Sequence, residues 1–106
     1  MNQNRFRDLS EELKKELQKA LGGTMKELIL FGSYARGDQA PDSDLDFMLL
    51  LNQKLSRKEE EDVNEISSRI SLKYDTVIVC LDYLAEDFEK KATSLIQNVK
   101  REGRRI

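Results

Sequence analysis

The sequence predicts an α/β fold in which helices flank a small mixed β-sheet, and three observations lead to that prediction. Segments with apolar residues at helical spacing alternate with short apolar runs that suit buried strands. About 20 residues containing a helical segment join the last two runs, which is enough for a right-handed parallel crossover. A loop joins the first two runs. The predicted order is therefore helix, strand, strand, helix, strand, helix.

The first half of the chain is predicted to form one helix and two strands. Asp8 and Glu11 are the predicted cap of the helix, and Gly22 and Gly23 provide its stop. The second strand is apolar except for Asp46, as expected for a central strand covered on both faces. The predicted bounds are residues 8–21 for the helix, 28–31 for the first strand and 45–51 for the second.

The second half is predicted to form a helix, a strand and a final helix. Ser56 and Glu59 match a capping box, and the apolar stripe that follows them indicates a helix ending near Leu72. A run of β-branched residues then indicates a strand. Gly103 can end the last helix. The predicted bounds are residues 76–81 for the strand and 85–101 for the final helix.

Length and composition limit the classes of function. The 106 residues fit a single domain over residues 1–106 with one modest core. Because Lys and Arg number 18 against 20 for Asp and Glu, the surface is not the basic field of a general nucleic-acid binder, and nucleic acid is not expected as the main partner. Cys80 is the one cysteine, and there is no histidine. These counts exclude disulfides, Cys/His zinc sites and Ser-His-Asp triads.

The same composition predicts a cytoplasmic protein without a membrane anchor. The longest apolar run, over residues 47–51, is far shorter than the roughly 20 residues needed to cross a bilayer. The first residues of the chain are polar and lack the apolar stretch of a signal peptide. Cys80, in a predicted strand, is interpreted as a buried apolar residue.

The segment over residues 32–37, Gly-Ser-Tyr-Ala-Arg-Gly, indicates a phosphate-binding turn at the end of the first strand. Gly32 allows the backbone to turn and to approach a ligand closely. Ser33 offers a hydroxyl and an N–H group. A helix starting near Tyr34 would direct its free amides toward phosphate.

A pair of carboxylates follows at the start of the second strand. Asp44 and Asp46 are two residues apart, so their side chains leave the same face of the strand. Two convergent carboxylates without histidine predict a site for hard cations, Mg²⁺ first and Mn²⁺ as an option. Asp75 and Asp82 are the candidates for a third carboxylate. Asp75 is preferred because a parallel third strand would place it at the same end of the sheet as the pair.

The run from Gly32 to Asp46 resembles the signature of the DNA polymerase beta nucleotidyltransferase superfamily. That signature is Gly-Ser-x-Ala-Arg-Gly, five residues, then Ser-Asp-x-Asp, and each fixed position is present in this sequence. The short chain without an added domain is similar to the minimal nucleotidyltransferases of that superfamily. The resemblance implies a metal-dependent enzyme that transfers a nucleoside monophosphate from a nucleoside triphosphate to an acceptor.

The resemblance also implies a role for each residue of the motif. Gly32 and Ser33 would hold the triphosphate, and Arg36 would either contact phosphate or fasten the loop. The metal-binding and catalytic carboxylates would be Asp44, Asp46 and Asp75.

Minimal nucleotidyltransferases resemble one half of a toxin–antitoxin pair whose other half is a HEPN ribonuclease toxin. The resemblance implies an antitoxin that transfers AMP from ATP to a hydroxyl of that partner, with homodimer formation as a further option. Two alternatives remain open: a small-molecule nucleotidyltransferase of the aminoglycoside type, and a non-catalytic module that masks its partner. A basic end is interpreted as complementing a helix dipole more readily than as binding RNA or a partner. Its residues are Lys100, Arg101, Arg104 and Arg105.

Overall fold

A computed structural model describes residues 1–38, 40 and 43–106 of the chain. The elements in chain order are helix α1 (Gln3–Leu21), a 3-10 turn (Gly22–Thr24), strand β1 (Met25–Phe31), helix α2 (Ser33–Arg36), strand β2 (Leu45–Leu51), helix α3 (Arg57–Tyr74), strand β3 (Ile78–Leu84), helix α4 (Ala85–Lys90), helix α5 (Ser94–Glu102) and strand β4 (Arg104–Arg105). Among these residues, no helix combines the length and the apolar character needed to cross a bilayer.

The strands form one mixed sheet in the order β3-β2-β1-β4. Strand β1 runs antiparallel to both β2 and β4, whereas β2 and β3 are parallel. The predicted mixed α/β architecture and the parallel crossover through a helix are therefore confirmed. Strand β2 has the predicted bounds, and Ser56 and Glu59 form the predicted capping box at the start of α3.

One side of the sheet, which we call the core face, packs against α1 and α3. Alternate residues of β1 and β2 join the buried side chains of these two helices in one cluster. The strand residues of that cluster are Leu28, Leu30, Leu45, Phe47, Leu49 and Leu51. The other side, which we call the second face, carries the intervening residues Ile29, Met48 and Leu50, partly covered by α4 and α5. Asp46 lies on the second face because side chains alternate along β2.

The predicted final helix over residues 85–101 is wrong, because the chain forms two helices there. Helix α4 ends at Lys90, and Lys91 has an extended backbone. Thr93 then begins α5 as its N-cap, its side-chain oxygen accepting a hydrogen bond of 3.3 Å from the Ile96 N–H. An apolar stripe can continue across such a break, whereas a threonine that satisfies the free N–H groups of a new helix favours interruption.

Other predicted boundaries also move. Helix α1 begins five residues before the predicted start, and its cap is Asn2, whose side chain accepts a hydrogen bond of 2.8 Å from the Arg5 N–H, so the predicted cap at Asp8 and Glu11 is wrong. Strand β3 begins at Ile78 and not at residue 76, because α3 continues to Tyr74. The two-residue strand β4 is not in the prediction.

Candidate active site

The connection between β1 and β2 begins with a glycine whose backbone no other residue adopts easily. Gly32 has φ 79° and ψ −156°, and it directly follows the last residue of β1. A Cβ atom at this position would overlap the Asp46 carboxylate oxygen Oδ2 on the neighbouring strand. The missing side chain therefore allows the loop backbone to lie against a carboxylate, while the predicted close approach of Gly32 to a ligand stays a prediction.

Helix α2 follows as a single turn of four residues. The Arg36 N–H donates to the Gly32 carbonyl at 3.1 Å, and the Asp38 N–H donates to the Ser33 carbonyl at the same distance. The ring of Tyr34 stacks on Phe6 of α1 with centroids 5.9 Å apart. The predicted helix near Tyr34 is thus present, and aromatic packing attaches it to α1.

Asp46 lies deeper than Asp44, which is exposed just before β2. In the sheet register, Asp46 is flanked by Phe31 on β1 and Val79 on β3. Burial raises the pKa of the Asp46 carboxyl, the negative charge of Asp44 raises it further, and Arg36 partly opposes the shift. The Asp46 carboxyl therefore ionises less readily than an exposed aspartate does.

An open hollow of about 430 Å³ on the second face brings together part of the motif, and Asp44 is not among the residues that line it. Its lining residues are Phe31, Gly32, Ser33, Arg36, Asp46, Leu95, Asn98 and Glu102. Three of them come from α5, and no sequence motif marks them. Their place in the site depends on how α5 packs against the sheet, about 50 residues after the loop, which is a tertiary contact that local patterns do not encode.

Arg36 crosses this hollow as the centre of a small ion-pair network. Its Nε atom is 3.2 Å from the Asp38 carboxylate, and its Nη1 atom is 3.4 Å from the Glu102 carboxylate. Hydrogen bonds to Asp38 first and Glu102 second raise the pKa of the guanidinium above its ordinary value. Arg36 therefore remains charged, and its guanidinium is oriented by two carboxylates.

Asp75 lies apart from the other predicted site residues. It is the C-cap of α3 in the left-handed conformation, with φ 50° and ψ 52°, and its N–H group contacts the last carbonyls of that helix. Asp75 lines a different hollow beside α3, and it shares a smaller one with Tyr34 of α2. Within the described residues, no three carboxylate, histidine or cysteine side chains are grouped so as to hold a metal ion.

The register shows which residue of β3 lies beside Asp46. Strand β3 is parallel to β2, so the predicted end of the sheet is right, but the residue beside Asp46 is Val79. Asp75 precedes β3 by three residues, in the turn that leaves α3. The role of Asp75 as a third carboxylate beside Asp44 and Asp46 therefore stays a prediction, with Asp75 placed at the cap of α3.

Residues 10–106 match a family model described as a nucleotidyltransferase domain. The chain is a nucleotidyltransferase domain. Over 98 residues this nucleotidyltransferase is 38% identical to a candidate protein adenylyltransferase of Methanocaldococcus jannaschii, and the match covers 91% of the chain and 93% of the relative. The predicted family is confirmed, and with it the assignment of the chain as an enzyme of the nucleotidyltransferase class.

Solved structures share the fold of the nucleotidyltransferase. A tri-AMPylated HEPN toxin of Shewanella oneidensis in complex with an MNT antitoxin matches with a TM-score of 0.61 and 19% identity, over 93% of this chain and 69% of that chain. A spectinomycin adenyltransferase from Enterococcus faecialis, bound to ATP and spectinomycin, matches with a TM-score of 0.72 and 18% identity, over 94% of this chain and 55% of that chain. At these identities the likeness shows the shared fold.

Proposed function

We propose that this nucleotidyltransferase transfers AMP from ATP to a hydroxyl of a partner protein, and that it acts in this way as the antitoxin of a HEPN-type toxin. The observation that carries the proposal is the single hollow in which the glycine turn, Ser33 and Arg36 face Asp46. A candidate protein adenylyltransferase among the relatives supports AMP as the group transferred and a protein as the acceptor. The toxin–antitoxin complex among the structural neighbours supports the kind of partner.

The donor atoms at the site fit Mg²⁺. Asp44 and Asp46 offer carboxylate oxygens, the ligands that this hard cation prefers, and neither histidine nor cysteine lines the hollow. When bound there, the ion supplies positive charge that neutralises the triphosphate. Asp44 and Asp46 are therefore the residues that would hold it, and Asp46 gains most because it is the more buried of the two.

The other residues bind and orient the nucleotide. Gly32 presents backbone without a side chain, and Ser33 adds a hydroxyl that can donate to a phosphate oxygen. Arg36 can exchange its contacts with Asp38 and Glu102 for phosphate oxygens, which a guanidinium binds in the same forked geometry as carboxylates. These contacts hold the α-phosphorus in place before the attack.

The reaction follows from that placement. An acceptor oxygen forms a bond to the α-phosphorus while the bond from that phosphorus to the bridging oxygen breaks, so pyrophosphate leaves and AMP becomes ester-linked to the partner. The hydroxyl proton passes to a nearby carboxylate or to water. The chain therefore contributes mainly positioning and electrostatics, as in other phosphoryl-group transfers.

The proposal is tested with ATP labelled at the α-phosphate, Mg²⁺, and the protein encoded beside this one. We expect label on the neighbour with the wild-type enzyme and none with Asp44→Ala or Asp46→Ala. Asp82→Ala is the matched control, because Asp82 is an exposed acid at the opposite end of β3 and should leave transfer unchanged.

Three outcomes would overturn parts of the proposal. Neutralisation of the neighbour by Asp44→Ala, with binding retained, would indicate a masking module without need for turnover. Label transferred to spectinomycin without any protein partner would indicate a small-molecule enzyme. Transfer lost equally in Asp82→Ala would mean that the effect is a general one of charge.

Asp75→Asn decides the role of Asp75. Asparagine tolerates the left-handed conformation that the cap of α3 requires, so this variant removes the carboxylate and keeps the fold. If Asp75 only caps α3, AMP transfer should remain within about twofold of wild type. A loss of a hundredfold or more, as is typical for a missing catalytic group, would restore Asp75 to the catalytic residues.

A further inference from the structure

Strand β4 contains two adjacent arginines with different surroundings. Arg104 pairs with Leu30 of β1 in the sheet, and Arg105 pairs with Ile29. Since neighbouring side chains of a strand leave opposite faces, the two guanidinium groups diverge. The Arg104 Nη2 atom donates to the Ala35 carbonyl at 3.1 Å and to the Tyr34 carbonyl at 3.5 Å. The Arg105 Nε atom instead lies 2.9 Å from the Glu27 carboxylate.

The two carbonyls that Arg104 contacts belong to the one turn of α2. A helix leaves its last carbonyls without partners inside the helix, and a cation there stabilises them by hydrogen bonding and by complementing the helix dipole. Glycines with positive φ, Gly32 and Gly37, flank this turn on either side and give its backbone unusual freedom. The contact of Arg104 with the α2 carbonyls therefore restricts the backbone that carries Ser33 and Arg36.

The backbone that carries Arg104 is itself fixed. The Gly103 N–H donates to the Val99 carbonyl at 2.8 Å, and a Cβ atom at Gly103 would overlap that carbonyl and lie 2.7 Å from Ile29 Cγ2. The Ile106 N–H donates to the Leu28 carbonyl at 2.9 Å. Arg104 thus extends its side chain from a backbone held by these hydrogen bonds to the carbonyls of α2.

We infer that Arg104 is a positioning residue for the nucleotide. Its guanidinium holds the carbonyls of α2 and so sets the backbone from Gly32 to Gly37 in the arrangement that receives the triphosphate. The identity of the ligand rests on the proposed function, whereas the hold on the loop does not. Removal of the guanidinium should loosen the loop and weaken binding through the phosphates, with little effect on contacts to the base and ribose.

The test compares Arg104→Ala with Arg105→Ala, which removes the same charge from the same strand on the other face. The first measurement is amide hydrogen exchange of residues 32–38 in the protein without nucleotide. We expect exchange about tenfold faster in Arg104→Ala and unchanged exchange in Arg105→Ala, as for loss of a hydrogen bond to a charged group. Arg104→Lys keeps the charge on a compact ammonium group without the planar fork and should lie between wild type and alanine.

The second measurement is affinity for MgATP and for adenosine. We expect the dissociation constant of MgATP to rise about threefold to tenfold in Arg104→Ala and that of adenosine to stay the same, because only the phosphates contact the loop. Unchanged exchange in Arg104→Ala, or an equal increase in Arg105→Ala, would overturn the inference. Should the wild type fail to bind MgATP, the proposed function falls, and the exchange comparison still decides the role of Arg104.

Discussion

The two faces of the sheet differ in how they are used. The core face belongs to a cluster of thirteen buried residues that includes the inner sides of α1 and α3, whereas the second face contributes to a cluster of five beneath the short helices α4 and α5. The candidate active site is on the second face, where packing is thinner and a hollow stays open. Packing against the long helices α1 and α3 can therefore stabilise the fold, while the other side of the sheet carries a partly covered, acidic site that adds less stability.

The largest difference in stability between the two faces should appear when a leucine on each side of the sheet is replaced by alanine. Leu13 of α1 is fully buried in the core cluster, so Leu13→Ala should lower the free energy of unfolding by about 2–5 kcal/mol. Leu95 of α5 is only half-buried beside the hollow, and Leu95→Ala should cost about 1 kcal/mol or less. Urea denaturation measures both variants. Equal losses would show that the second face carries as much of the stability as the core face.

The turn between α5 and β4, beside the second face, should nevertheless not tolerate a side chain larger than that of glycine. Gly103→Ala adds a methyl group that overlaps the Val99 carbonyl, so the free energy of unfolding should fall by about 1–3 kcal/mol as the turn shifts. Gly23→Ala is the control, because nothing lies within 4 Å of a Cβ atom there and its φ is not positive. That variant should be neutral or more stable by up to about 1 kcal/mol. A neutral Gly103→Ala would mean that the connection between α5 and β4 has more slack than the structure indicates.

Two carboxylates, Glu12 and Asp46, have pKa values that shift in opposite directions. Glu12, between α1 and α3, accepts hydrogen bonds of 2.9 Å from Lys73 and from Tyr74. The hydrogen bond from Lys73 lowers the pKa of Glu12 most strongly, and the pKa stays below its ordinary value although burial raises it. Burial followed by Asp44 raises the pKa of Asp46. Ionised Glu12 therefore stabilises the fold, whereas ionised Asp46 destabilises it.

These signs predict opposite pH profiles in the presence of EDTA. Wild type should be more stable than Glu12→Gln by roughly 0.5–1 kcal/mol at neutral pH, and the difference should vanish as pH falls through the lowered pKa of Glu12. Asp46→Asn should be more stable than wild type by on the order of 0.5 kcal/mol at neutral pH, and that difference should fade as pH falls through the raised pKa of Asp46. Urea denaturation at about pH 7 and about pH 3 checks both. If Asp46→Asn were less stable than wild type at neutral pH, ionised Asp46 would not destabilise the fold.

The smallest expected effect concerns Cys80, whose side chain packs against the core cluster. Burial raises the pKa of this thiol to about 12, and Asp82 adds to the shift. Since the thiolate is the reactive form, iodoacetamide should alkylate the folded protein at about pH 8 at least about tenfold more slowly than the urea-unfolded chain. Mass spectrometry follows the reaction. Equal rates would show that β3, at the edge of the sheet, opens readily.

Much of this site could be predicted from sequence because its central parts are local. The glycine turn and the two acids lie within 15 residues, and the apolar run of β2 fixes which face the acids share. Strand direction was also predictable, since a helix-containing crossover favours a parallel pair.

The remainder depends on contacts that no local pattern encodes. Direction alone does not give register, so the sequence could not tell that Val79, and not Asp75, lies beside Asp46. Glu102 at the end of α5 and Arg104 in β4 both contact the loop. Their positions depend on the break at Lys91, where α4 ends before α5 begins. An apolar stripe that continues through the break conceals it.

The Asp46 carboxylate occupies the space that a side chain at position 32 would need. This overlap sets the order in which the two positions can change in descendants of this sequence. Two separate constraints keep glycine at position 32: its positive φ, and the carboxylate oxygen that a Cβ atom would overlap. The first belongs to the loop, but the second belongs to Asp46 alone. A lineage that first loses the acid at position 46 opens space at position 32, whereas one that first changes Gly32 must displace the Asp46 carboxylate. The two positions are therefore epistatic, and decay of the activity should begin on β2 before it reaches the loop.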